Sequence, residues 1–239
     1  MVNIDTVYQR VLALANKEQR GYITPIEFNL LANHAQMDIF EQYFYDLNQF
    51  RRLNGNDTMY ADPVDMLEEK IEIFHRGQTL TDDDDPSNIF DTNDLNNELY
   101  RLKQVIFNNT TVVPNIAVKV EKTTHDKFQL SIDSPLTRPT LMRPIYHFRN
   151  SSIVVSPNTI TSVDVNYIKK PQTVQWASTM VDGVAMYNAD LSVHFELHPS
   201  EETELVLKIL SLSGVTIKDP GLYQIASGED IKNIQQEKQ

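Results

Sequence analysis

Six histidines, His34, His75, His125, His147, His194 and His198, are the first residues to test for chemistry. The tightest grouping is His194-Phe195-Glu196-Leu197-His198. Two imidazoles and a carboxylate form the donor set of some iron enzymes. On a strand all three face one side, but residues four apart stand ~13 Å apart along it. They close on one ion only if the strand bends sharply. Alternation with Leu191, Val193, Phe195 and Leu197 points instead to a polar outer face on a half-buried strand. A second grouping is acidic. Asp83, Asp85, Ser87, Asp91 and Asp94 fall on the first, third, fifth, ninth and twelfth places of a calcium loop. The sixth place holds Asn88 instead of Gly, Pro86 lies inside the loop, and the twelfth is Asp instead of Glu. A solvated loop therefore fits better than a calcium site, with Asp83, Asp85 and Asp94 the candidates if a cation binds. No GxSxG, HExxH or kinase-type motif occurs. Dispersed Ser, His and Asp residues can still meet in space. No catalytic or cofactor-binding residue is assigned.

The elements that must carry these residues divide by period. Ile4, Val7, Val11 and Leu14 recur at helical spacing, and Gly21 is placed to end that helix. Thr24, Pro25 and Glu27 spell a capping box opening a helix over 25–50, with Phe28, Ala32, Ala35, Ile39, Tyr43, Leu47 and Phe50 as its stripe. Asn54-Gly55 is a turn signal, and Asp62-Pro63 caps a third helix. Gly77, Pro86 and Asp82–Asp85 mark a loop over 77–94, and a short helix is expected around 97–105. After residue 110 the period becomes two: Phe128, Leu130 and Ile132, then Val163, Val165 and Tyr167. Ile145–Phe148 and Ile153–Ser156 read as strands joined at Asn150-Ser151-Ser152, and Asp182-Gly183 signals another hairpin. Helical period returns after Ser200, with Leu205, Ile209 and Leu212, and Gly214 is expected to stop it. The expected fold is α+β: a discontinuous helical bundle formed by the N- and C-terminal helices, with an inserted short-stranded antiparallel β domain. Its parts are a helical domain over 1–109 with an acidic loop at 77–94, a β domain over 110–198, a returning helix over 199–217 and a polar tail over 218–239.

Composition narrows the function classes. The chain has 239 residues, 21 Lys+Arg against 33 Asp+Glu, and no Cys. Thiolate zinc sites, iron–sulfur clusters, disulfides and cysteine nucleophiles are excluded. Seven Gly is about 3 %, against a usual ~7 %, and no glycine-rich phosphate loop occurs. The net charge of −12 argues against general nucleic-acid binding. No run approaches the ~18 apolar residues of a membrane span, and residues 1–19 lack a signal-peptide pattern. Trp176 follows a strand end and reads as a packing anchor or a partner contact. Arg51-Arg52 and Lys169-Lys170 are basic pairs expected on the surface.

Several stretches together resemble a known family. They are Ala15–Tyr43 (ANKEQRGYITPIEFNLLANHAQMDIFEQY), Ser134–Thr140 (SPLTRPT), Arg143–Tyr146 with Ile153–Pro157 (RPIY and IVVSP), Val165–Trp176 (VNYIKKPQTVQW) and Glu204–Asp219 (ELVLKILSLSGVTIKD). They resemble neck or head-to-tail connector ring proteins of tailed bacteriophages, of the crAss-like type. The resemblance implies a structural virion protein without enzymatic activity or cofactor, localised to the virion neck and assembled in the bacterial cytoplasm. It implies a homo-oligomeric ring, commonly a dodecamer, in contact with the phage portal protein and further neck or tail proteins. DNA would pass through the lumen without sequence-specific binding, and no membrane is involved. The polar tail, with Ile231 and Ile234 spaced for one helix face, suits a contact with a neighbour. Ile231, Ile234 and Trp176 are thus the expected interface residues. Two rival readings stand beside this one. The first is a host-surface or carbohydrate-binding module of a virion, using Trp176, Tyr167 and Tyr187 as an aromatic platform. The second is a hydrolase built around His194 or His198.

Overall fold

A computed structural model describes residues 1–17, 23–52, 61–81, 88–95, 98–109, 116–181 and 184–216. The chain folds as two units: Met1–Ile73 together with Pro171 onward, and Phe74–Lys170.

The first unit is built on helices α1 (Ile4–Lys17), α2 (Pro25–Arg52), α3 (Ala61–Glu72) and α5 (Glu202–Thr216). In α1 the expected stripe is buried at Ile4, Val7 and Val11, while Leu14 is exposed. The capping box closes as its residues dictate. Thr24 Oγ1 accepts from the Glu27 amide at 3.3 Å, and the Glu27 carboxylate accepts from the Thr24 amide at 3.0 Å. The bond from the Thr24 amide, and after it one from the Thr24 hydroxyl at 2.8 Å, hold the Glu27 carboxyl below its ordinary pKa. Phe28, Ala32, Ala35, Ile39 and Phe40 of α2 are fully buried or nearly so, and α5 packs on both α1 and α2. Gly214 does not stop α5, which runs on to Thr216.

The second unit overturns the expected fold class. The class is mixed α+β, but the β part is not a small insertion in a helical bundle. It is a seven-stranded sheet in the order β1-β7-β3-β4-β5-β6-β2. The strands are β1 (His75–Thr81), β2 (Ile89–Asp91), β3 (Leu99–Asn109), β4 (Ile116–Lys122), β5 (Ile145–Arg149), β6 (Ser152–Ser156) and β7 (Ser162–Lys169). The sheet curls until its edge strands β1 and β2 meet, so it is nearly closed. Inside lie Leu80, Phe90, Val105, Val120, Ile153, Val163 and Val165. Among the described residues there are five α-helices, and three strands come from the stretch read as helix and loop.

The physical reasons are local. Leu99, Leu102 and Ile106 mimic a helical stripe, yet they belong to β3, whose register against β7 slips between Leu99 and Arg101 and again between Leu102 and Gln104. Each slip inserts a residue and breaks the two-residue alternation that marks a strand. Gly77 lies within β1, opposite Asn166, instead of opening a loop. Conversely, Phe128, Leu130 and Ile132 alternate but fall in α4 (His125–Asp133), where Phe128 is buried and Leu130 exposed. Nor is the sheet wholly antiparallel: β4 and β5 pair in parallel, with α4 as the crossover between them. The hairpin between β5 and β6 turns at Asn150 and Ser151, both with positive φ, as a two-residue turn requires. A separate two-stranded ribbon, β8 (Ser178–Val181) with β9 (Val184–Tyr187), belongs to the first unit.

Candidate functional site

The second unit carries a groove created by its strand register. β3 pairs with β4 only through Val105–Asn109. Past Val120, β4 turns away, and Glu121 and Lys122 pair with Ile145 and Tyr146 of β5. The first half of β3 therefore diverges from β4 and β5, and a cavity of about 690 Å³ opens there. A second cavity of about 500 Å³ shares its Leu102 and Lys122 walls. Exposed cations line both: Arg101 and Lys122 in the first, Lys103, Lys119 and Lys122 in the second. Lys103 Nζ lies 2.8 Å from His75 Nε2. Glu121 is the carboxylate among the lining residues. Tyr100 and Phe148 stand at the rim, 40 % and 45 % exposed. Burial raises the pKa of the Tyr146 hydroxyl on the inner wall, keeping it neutral. The groove's exposed cations suit it to an anionic group. It brings together no nucleophile with a base.

A histidine pair lies on the other side of β5. His125 Nδ1 is 3.4 Å from His147 Nε2, and the His147 ring packs 4.3 Å from Phe128. His147 is 4 % exposed and its Nδ1 has no hydrogen-bond partner. The tautomer protonated at Nε2 leaves the least cost at Nδ1. Burial first, then His125 and Arg149, push the His147 pKa below the ordinary imidazole value. The unfolded chain therefore binds the proton more readily. His147 supports full stability above the unfolded value of ~6.5, and that support is lost as pH falls through the lower folded value. Thermal unfolding at pH 7.5 and 5 should show this acid loss in the wild type and a smaller one in His147→Phe. Equal acid losses in both would disprove the assignment.

His194, Glu196 and His198, the grouping singled out from sequence, do not converge. His194 Nδ1 accepts from the Ile4 amide at 3.3 Å. Glu196 is buried, not on an outer face, and accepts from the Gln172 amide at 3.0 Å. His198 caps the turn Pro199–Glu201 and contacts Ser200 Oγ at 2.8 Å, while that hydroxyl donates to Glu201. This is a local cap, since the serine proton is directed away from the imidazole. Trp176 is 6 % exposed, stacks 4.6 Å from Tyr8, and donates from Nε1 to Asp5 at 3.0 Å. Tyr167 is likewise buried. Neither can serve an open aromatic platform as placed. Lys169 is buried too, against the surface expectation. Asp83, Asp85 and Ser87, Gly21, Asn54-Gly55, Asp182-Gly183, Ile231, Ile234 and the tail over 218–239 lie outside the described residues, as does the Asp94 side chain. Among the described residues no group of three His, Asp or Glu could hold a metal ion. No helix among them is long and apolar enough to cross a membrane.

Sequence reasoning missed the groove. Its cations, Arg101, Lys103, Lys119 and Lys122, lie on the consecutive strands β3 and β4, and the groove opens only because β4 leaves β3 for β5. Counting charge unit by unit gives a partial signal. The first unit holds 10 Lys+Arg against 22 Asp+Glu, and the second holds 11 of each. No family model matches the chain, and no curated protein matches it.

Proposed function

We propose that the chain is a structural component of the neck of a tailed bacteriophage, forming a ring that extends the DNA channel between portal and tail. The observation that carries the reading is the segregation of charge. The whole net charge of −12 falls on the first unit, and the second is neutral. A ring that turns its acidic unit to the lumen repels the DNA phosphates and lets the duplex slide. The basic groove of the other unit remains for protein contacts. Heterologous contacts between copies close into a ring when the rotation per subunit is right. The family resemblance supports the same reading, because the stretches that carry it run through both units in order. Electron micrographs of purified virions, labelled with antibody against this chain, should place it at the neck in rings of fixed symmetry. Labelling elsewhere on the particle, or a chain absent from virions, would sink the proposal.

A further inference from the structure

We propose that the groove between β3 and the β4–β5 pair binds the acidic face of α3 from a second copy of this chain, in a head-to-tail contact. The orientation within a ring rests on the proposed function; the contact itself rests on the two surfaces alone.

Groove and helix face are complementary in charge. Asp65, Glu68, Glu69 and Glu72 of α3 fall at i, i+3, i+4 and i+7, which places them on one face of the helix. All four are exposed, and the opposite face buries Ile71. The face covers about two turns, with carboxylates roughly 5–6 Å apart along the axis. In the groove, β3 contributes Arg101 and Lys103, both exposed and both beside its register slips, with Lys103 Nζ 2.8 Å from His75 Nε2. β4 contributes Lys119, where it still pairs with β3, and Lys122, where it has turned to β5, with the Glu121 carboxylate between them. Met66, 60 % exposed beside the acidic face, brings an apolar group of the kind that Tyr100 and Phe148 can cover at the rim.

Charge also selects this occupant over a nucleic acid. The second unit carries 11 Lys+Arg against 11 Asp+Glu and is neutral, so it lacks the extended basic surface that a nucleic acid needs. The acidic face of α3 needs only the few cations that line the groove. The contact is heterologous, with groove and helix face as different surfaces of one chain, so every copy offers one of each.

Charge reversal tests it. One full-length variant carries Arg101→Glu with Lys122→Glu; the other carries Glu68→Lys, Glu69→Lys and Glu72→Lys. All five positions are exposed, and circular dichroism checks that each variant folds. In sedimentation velocity at about 50 mM salt, the wild type should self-associate and should dissociate as salt screens the contact. Each variant alone should associate more than about 100-fold more weakly, because it sets like charges against one another. An equimolar mixture should regain assembly, since each variant's groove then meets the other's helix with opposite sign. A monomeric wild type, a variant that assembles like the wild type, or a mixture that stays apart would overturn the contact. So would tight binding of a single-stranded oligonucleotide by wild type and helix variant alike but not by the groove variant, which would mark the groove as a nucleic-acid site. A chain found away from the virion neck would remove the ring reading and leave the measured contact standing.

Discussion

Asn33→Ala should destabilise the first unit by about 3 kcal/mol, because it strips the partners from a buried segment of backbone. The extended stretch around Gln172–Trp176 has no β-strand on its α2 side. Three α2 side-chain amides take the place of one. Asn29 Nδ2 donates to the Trp176 carbonyl at 3.1 Å, and its Oδ1 accepts from the Trp176 amide at 2.7 Å. Asn33 does the same for Val174, at 2.9 Å in both directions. Gln36 donates to the Gln172 carbonyl at 2.8 Å and accepts from the Glu196 amide at 3.3 Å. The geometry works because helix steps of four and three residues, ~6 and ~4.5 Å, roughly keep pace with two-residue strand steps of ~6.6 Å. On its other edge the stretch pairs through Gln175 with Val193. Val174 is 1 % exposed, so water cannot replace the lost amide. A buried donor or acceptor without a partner costs about 1–3 kcal/mol, and Asn33→Ala creates one of each.

Asn33→Asp separates the two halves of that bond. The carboxylate still accepts from the Val174 amide but faces the carbonyls of Val174 and Asn29, to which Asn33 Nδ2 donates in the wild type. Its loss should be largest at neutral pH and shrink toward pH 4, where the carboxyl can regain a proton and donate. The single Trp lies on the ladder, so its fluorescence during urea unfolding reads the event directly. A loss below about 0.5 kcal/mol for Asn33→Ala would mean that the backbone finds other partners.

The ladder shows what the sequence made legible and what it hid. Apolar period found the α1 stripe and the core face of α2, and residue chemistry found the capping box at Thr24–Glu27 and the turn at Asn150-Ser151. Each of those signals is local, fixed within a few residues. Asn29, Asn33 and Gln36 sit beside the apolar stripe and read only as polar, because their partners lie more than a hundred residues away. The three side chains lie in the stretch Ala15–Tyr43, and their partners Gln172, Val174 and Trp176 lie in Val165–Trp176, two of the stretches on which the family resemblance rests. Those stretches match each other in space as a structural lock, so they speak for the fold more than for a ligand. The groove was hidden for a related reason. It arises where β4 leaves β3 for β5, a change of pairing that no window of sequence contains. The bulges of β3 also erased the alternation that would have marked a strand, and α4 shows the reverse error, alternation without a strand.

Glu201→Ala should cost the first unit about 3–5 kcal/mol, the range for breaking a buried ion pair by removing one partner. Lys70 Nζ of α3 lies 2.6 Å from Glu201 Oε1, and the side chains are only 14 % and 3 % exposed. Glu201 also accepts from Ser200 Oγ at 3.0 Å, and Lys70 Nζ stands 5.7 Å from the Tyr43 ring centroid. Without the carboxylate, the ammonium is left largely desolvated beside the Tyr43 ring face. Replacing both partners by apolar groups, Lys70→Met with Glu201→Leu, should recover most of the loss, because the desolvation cost leaves together with the attraction. Stability of the wild type should change little between 0.05 and 0.5 M salt, since buried pairs are weakly screened. Single-variant losses under about 1 kcal/mol with strong salt dependence would mark the pair as a surface bridge. The pair also bears on assembly. It ties α3 to the turn that leads into α5, and α3 is the helix whose outer face carries Asp65, Glu68, Glu69 and Glu72. Glu201→Ala should therefore weaken self-association while leaving every charge on that face in place, and the double apolar variant should restore both stability and association. Restored stability without restored association would mean that Glu201 or Lys70 acts on the contact by charge, and not by holding α3 in position.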